Sequence, residues 1–235
     1  MTREEFYTRL PDMPVPPTTA APSAGNFMER YEKLLQAGVE KIFSIHAASN
    51  LSGIFNAARL AAESFGERVH VVDSGQLSLG VGFQVLSAAE AAANGESFNR
   101  ILPLLENVQS RIKVIALLDS LKYLRRSGRV SWTKAVLAGF LNLKPMIDLA
   151  YGRVVNIGSV RTQRQGKQRL LDILHDLGAL ERLVVLHTNA EERARDLLTT
   201  LNPVLPYQPL IVNVTTVIGA HLGPNGLGFA AVQEN

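Results

Sequence analysis

Ser49 and Ser52 stand three residues apart in Ser49-Asn-Leu-Ser-Gly53, a loop between a short apolar strand and an amphipathic helix. The first-turn N–H groups of such a helix lack intrahelical partners and carry partial positive charge. An anion such as a carboxylate can rest there, with the serine hydroxyls as extra donors. The same spacing also fits one serine capping the helix while the other faces water. A second hydroxyl-bearing stretch, Pro17-Thr-Thr-Ala-Ala-Pro-Ser23, can hold a polar head group at low entropic cost, or can be an ordinary proline-set turn. A third stretch, Gly219-Ala-His-Leu-Gly-Pro-Asn-Gly-Leu-Gly228, carries His221 among four glycines, which implies close backbone approach or positive φ angles. On its own a lone histidine there reads as structural. It gains interest if it faces the serine loop.

Catalytic chemistries find less support in the residues. Ser52 sits at a strand-to-helix turn, as a hydrolase nucleophile would, but Asn50 and Ile54 occupy the places where Gly-x-Ser-x-Gly needs glycine. The five histidines, at 46, 70, 175, 187 and 221, show no metal-ligand spacing. Asp73-Ser74 after a strand fits an Asx turn or a metal or phosphate ligand. The enzyme reading that survives is a small-molecule hydrolase or phosphotransferase using Ser52, Asp73 and His221.

Between Lys122 and Arg169 the chain holds eleven Lys/Arg and one acid, Asp148, a local charge of +10 in a protein whose net charge is +3. The asymmetry points to an anionic ligand or partner near this window. Arg125 and Arg126 are the expected contacts, either with an acidic partner or with an anionic membrane surface touched peripherally. Nucleic acid suits the charge but not the aromatics: Tyr123, Trp132 and Tyr151 are too sparse for base stacking.

These segments must be positioned by a folded scaffold. A length of 235 residues with 46% hydrophobic and 19% charged content allows one large or two small cores and excludes wholesale disorder. No apolar run approaches the ~20 residues of a membrane span, and the N-terminus has no apolar signal core, so the expectation is a cytoplasmic protein. The absence of cysteine removes disulfides and thiolate chemistry.

Short apolar strands at 41–46, 69–72 and 113–117 alternate with helices at 1–10, 23–37, 53–65, 78–93 and 97–110. That rhythm predicts a parallel α/β layer. A short helix then meets the basic, glycine-broken turn at 128, and an apolar helix-like run follows Ser131. Beyond residue 145 the pattern changes. A hairpin over 144–161, helices at 163–177 and 190–201, and strands at 183–187, 210–216 and 227–233 predict an α+β lobe. The expected domains are residues 1–147 and 148–235.

Taken together the motifs resemble the DegV family along nearly the whole chain. The matching pieces are Pro17-Thr-Thr-x-x-Pro-Ser23, Ser49-x-Leu-Ser-Gly53, Val71-Val-Asp-Ser74, Leu121-Lys-Tyr-Leu-Arg-Arg-Ser-Gly-Arg-Val-Ser131, Leu143-x-Pro145, Gly152, Val160-Arg-Thr162 and His221-x-Gly-Pro-x-Gly226. The resemblance implies two α/β lobes with a fatty acid in a tunnel between them and no catalysis by the protein itself. It implies that Thr19 and Ser52 bind the carboxylate, with Ser49, Arg161 and His221 near the head group. No cofactor or metal is implied. Some family members are the acyl-binding half of a fatty-acid kinase and present the carboxylate to a separate ATP-binding subunit, which is therefore the expected protein partner.

Three departures from the family pattern stand out. Thr19-Ala-Ala-Pro22 replaces the usual Thr-Ser-Gln-Pro, and Ala48-Ser49 replaces a Ser-Ser pair. The family's usual first strand, ending in Asp-Ser, is not in this sequence. The expectation is an open edge on strand 41–46 or 69–72, with lower stability or pairing with another chain.

Overall fold

The computed structural model describes residues 1–134, 143–201 and 208–235. Most of the apolar run after Ser131, expected as a helix, lies outside them. The chain forms two compact units. The first comprises Met1–Thr19, Arg111–Ala150 and Val154–Asn235, and the second Ala20–Ser110 with Tyr151–Arg153.

The second unit holds helix α2 (Ala24–Gln36), strand β1 (Ile42–His46), helix α3 (Ile54–Ala62), strand β2 (Val69–Asp73) and helix α4 (Leu79–Ala93). Helix α5 (Phe98–Arg111) completes it, all but its last residue. Ser23 starts α2 through a capping box: its hydroxyl accepts the Asn26 N–H, and the Asn26 side chain accepts the Ser23 N–H. β1 and β2 run parallel with His46 opposite Asp73, joined by a crossover through α3. Successive β1 residues face opposite sides. Ile42 packs with Tyr31, Ala61 and Val69, whereas Phe43 and Ile45 pack against Ala88, Ala91, Ile101 and Leu105 of α4 and α5.

The first unit is built on a six-stranded sheet in the order β5-β4-β3-β8-β6-β7. Its strands are β3 (Ile112–Leu117), β4 (Lys144–Ala150), β5 (Arg153–Val160), β6 (Leu180–His187), β7 (Leu210–Asn213) and β8 (Leu227–Gln233). β3 is antiparallel to both β4 and β8, β6 is antiparallel to β8, and β6 and β7 are parallel. Helices α7 (Gln163–Asp176) and α8 (Glu191–Thr200) bury Leu170, Leu174, Ala194 and Leu197 on one core with Ile115, Met146, Val185 and Phe229. A second cluster gathers Leu118, Ile147, Val130 and Leu124 of helix α6 (Lys122–Ser127). Trp132 packs there and donates its indole N–H to the Val154 carbonyl at 2.8 Å. Helix α1 (Arg3–Arg9), capped by Thr2, packs Phe6 and Tyr7 with Tyr123. Among the described residues no helix is long and apolar enough to cross a membrane.

The architecture is the expected mixed α/β fold, with one parallel and one mixed sheet. Three details differ from the sequence reading. β3, assigned there to the parallel layer, is antiparallel and pairs from Ile112–Val232 to Leu117–Leu227. A strand belongs with its hydrogen-bonded partners, and these lie far along the chain. The division therefore falls near residues 19 and 110, with the turn 151–153 in the second unit, rather than at 147/148. The third difference is a helix, α9 (Thr216–Leu222), where strand and glycine loop were expected.

Candidate functional site

α9 carries His221, and two glycines let it fit. A Cβ on Gly219 would meet the Tyr7 hydroxyl at 2.4 Å, so the missing side chain is the space that Tyr7 fills. The Tyr7 hydroxyl donates to the Val214 carbonyl at 2.9 Å, which ties α1 to the entry of α9. Gly223 ends the helix at φ +79, and a Cβ there would lie 2.2 Å from the Tyr123 ring. This conformation disfavours every L side chain.

So positioned, His221 Nε2 lies 3.0 Å from Thr19 Oγ1 at the end of the proline-set loop. Both side chains are half-buried. Burial, and then the Arg129 charge, lowers the pKa of His221, which favours the neutral ring. Two residues 202 positions apart, both indicated by the family resemblance, are thus in direct contact.

In the second unit, Ala48 closes the serine loop by accepting the N–H groups of Leu51 and Ser52 at 2.9 and 3.1 Å. The Asp73 carboxylate accepts the Ser49 N–H at 3.2–3.3 Å and the Gly75 N–H at 2.9 Å. Asp73 therefore makes an Asx turn and staples two loops at the ends of the parallel strands. Ser52 Oγ accepts the Ile54 N–H at 3.3 Å, from one residue before the N-cap Gly53, and still has a hydroxyl proton to donate. Ser49 and Ser52 are both half-buried.

Of the residues in the hydrolase or phosphotransferase reading, Ser52 and Asp73 lie in the second unit and His221 in the first. Ser52 and Asp73 bond to backbone amides and His221 bonds to Thr19. Among the described residues, no cluster of three His, Asp or Glu could hold a metal.

Arg161 is exposed, in a groove of about 710 Å³ lined also by Met146, Ile157 and Arg169. In the basic window, Lys144 pairs with Asp119, and Lys167 with Asp196 at 2.7 Å. Arg125, Arg126 and Arg129 are exposed around Gly128, which closes α6 in the left-handed conformation. The packing of Tyr7 and Tyr123 against the histidine's helix was not foreseen from the sequence. The available signal was the Gly219–Gly223 spacing, one helical turn apart, which marks a helix face open to aromatic rings.

His46, His187 and His221 all have pKa values below the usual histidine range, with burial as the main cause. The unfolded chain, with histidines near about 6.5, takes up these protons first as the pH falls. Stability is therefore present above that value and is lost as pH drops through the folded values. The urea midpoint should be lower at pH 5 than at pH 7.5, and His221→Gln should remove part of the drop. A midpoint that holds or rises at pH 5 would contradict this assignment.

A family model described as an uncharacterised protein of the DegV family matches residues 1–234. DegV domain-containing proteins of Streptomyces coelicolor and Staphylococcus aureus are 34% and 32% identical to the chain. The alignments cover 91% and 100% of this chain and 77% and 85% of those proteins. Among solved structures, a fatty-acid-binding DegV family protein of Thermus thermophilus aligns with a TM-score of 0.88 at 30% identity, over 100% of this chain and 85% of that one. DegV of Bacillus subtilis, described as a fatty acid binding protein, aligns at 0.84 and 30% identity, over 98% and 84%. Matched in sequence over residues 1–234 and in fold along its whole length, the chain belongs to the DegV family.

Proposed function

We propose that this protein binds one long-chain fatty acid, whose carboxylate accepts hydrogen bonds from Thr19 and Ser52, with Ser49, His221 and Arg161 near the head group. The observation that supports it best is the Thr19–His221 contact at 3.0 Å, seen in a chain whose similar structures from Thermus thermophilus and Bacillus subtilis are described as binding fatty acids. A neutral imidazole beside Thr19 can accept or donate one proton and so orient the hydroxyl toward a carboxylate.

The tail supplies most of the affinity. Burying ~15 methylenes at ~0.8 kcal/mol each gives roughly 12 kcal/mol before association and ordering costs. The hydroxyls supply orientation. In the full proposal the protein carries the acyl chain without reacting it and presents the carboxylate to a separate ATP-binding kinase subunit, with Arg125 and Arg126 as the contact.

Denaturing extraction of the purified protein, followed by mass spectrometry, tests the first step. One equivalent of a long-chain fatty acid is expected. An empty protein that also fails to take up added palmitate would overturn it. Adding a fatty-acid kinase subunit and ATP to the loaded protein tests the second step. Acyl phosphate that is lost on Arg125→Glu/Arg126→Glu is expected, and formation unaffected by the substitutions would remove the arginines from the proposal.

A further inference from the structure

The ends of β6 and β7 and the outer side of α8 enclose a groove of about 600 Å³, within the range of small-molecule sites. It shares no lining residue with the proposed carboxylate site. His187 lines it and is only 4% exposed. Its Nδ1 accepts the Ala190 N–H at 3.0 Å. A ring nitrogen that accepts an amide proton carries none of its own, so in the neutral ring the proton sits on Nε2. Burial lowers the pKa of this histidine and favours that neutral form.

Nε2–H has no partner among the described residues, yet it is not one of the fully occluded polar atoms. It is a donor on a residue that lines the groove. The remaining wall is mixed: Leu198, Pro209, Ile211 and Leu210, the last 65% exposed, are apolar, and Thr199, Gln208 and Asn213 are polar. On the wall Glu191 pairs with Arg195 at 2.5 Å, and Arg3, whose charge also acts on His187, donates to the carbonyl of the lining residue Asn213.

We propose that this groove is a second ligand site, which takes a small uncharged amphipathic molecule whose carbonyl oxygen accepts from His187 Nε2 and whose apolar part lies on Leu198, Leu210 and Ile211. A free carboxylate suits it less, because Glu191 is close by and both nearby cations are engaged, Arg195 with Glu191 and Arg3 with the Asn213 carbonyl. The site is independent of the fatty-acid reading and stands or falls separately.

The test uses hexanamide as the probe and NMR of the full chain labelled in its histidine rings and its Leu and Ile methyls, with and without saturating palmitate. We expect saturable shifts at the His187 ring and the Leu198, Leu210 and Ile211 methyls, with a dissociation constant on the order of 1 mM, the same in both conditions. Hexanoate should bind more weakly. His187 is left intact because its Nδ1 holds the start of α8. The variant is Leu210→Lys at the exposed wall, which should weaken binding roughly tenfold, the scale of a lost apolar contact in a small pocket, while the melting temperature holds. No saturable shift at His187, unchanged affinity in Leu210→Lys, hexanoate binding as tightly, or shifts abolished by palmitate would each overturn the proposal. The last would assign the probe to the fatty-acid site.

Discussion

Gly228→Ala will prevent the first unit from forming its central sheet. Gly228 lies in β8 between β3 and β6, and a Cβ there would stand 2.2 Å from the Ile115 carbonyl oxygen and 2.9 Å from the Ala116 Cα. Both atoms are backbone of the neighbouring strand, so no rotamer change relieves the collision. Two strands must part, or β8 must slip. A one-residue slip would turn Phe229 and Ala231, both fully buried, to the other face. We expect a loss of more than ~3 kcal/mol, beyond the usual range for overpacking. The single tryptophan reports on it locally, because the Trp132 indole bonds to the Val154 carbonyl in β5 of the same sheet. Its emission should shift to the red and its thermal transition should vanish or fall steeply. A variant that melts within about 0.5 kcal/mol of the parent, the range of neutral surface changes, would show that the strands are not packed this closely.

The double variant Thr19→Ala/Ser52→Ala should release most of the bound fatty acid while staying folded. Hydrogen bonds to a charged group contribute about 1.5–3 kcal/mol each, so losing both should weaken retention by roughly 10²-fold or more, allowing for some coupling. The structural cost is smaller. Ser52→Ala removes one hydrogen bond, from the Ile54 N–H at the start of α3, and Thr19→Ala removes a half-buried contact with His221. Together these should lower the melting temperature by only a few degrees. Fatty acid per protein after extraction, and the off-rate in competition with labelled palmitate, measure the effect. Retention equal to the parent's in a folded variant would move the carboxylate to other residues.

What could be read from the sequence follows from how local each signal is. Ser23 and Thr162 cap their helices through residues three positions on, and Gly128 terminates α6 within its own turn. Such elements declare themselves over a few residues. The pairing of β3 with β8 does not, because an apolar run looks the same whichever strand it meets. α9 was hidden for a different reason. Gly219 costs a helix about 1 kcal/mol relative to alanine, and its return comes from Tyr7, more than two hundred residues away. In the site, the Asx turn of Asp73 was one of two local readings and the structure selects it. The contact between Thr19 and His221 has no local trace, and only the family resemblance brought those two residues into one list.

The placement of β8 also sets an order of events on the ribosome. Residues 20–110, which make up nearly all of the second unit, emerge with almost every partner they need. β3 follows at once, but one of its two neighbours is β8, and Ile112 waits for Val232. At a synthesis rate of about 5–20 residues per second, β3 and β6 spend roughly 2 to 24 seconds, β3 the longer, without the strand that joins them. The nascent chain therefore passes through a long-lived half-assembled state with apolar strands uncovered. Any factor that covers apolar strands, and the local speed of translation, has its leverage in that interval.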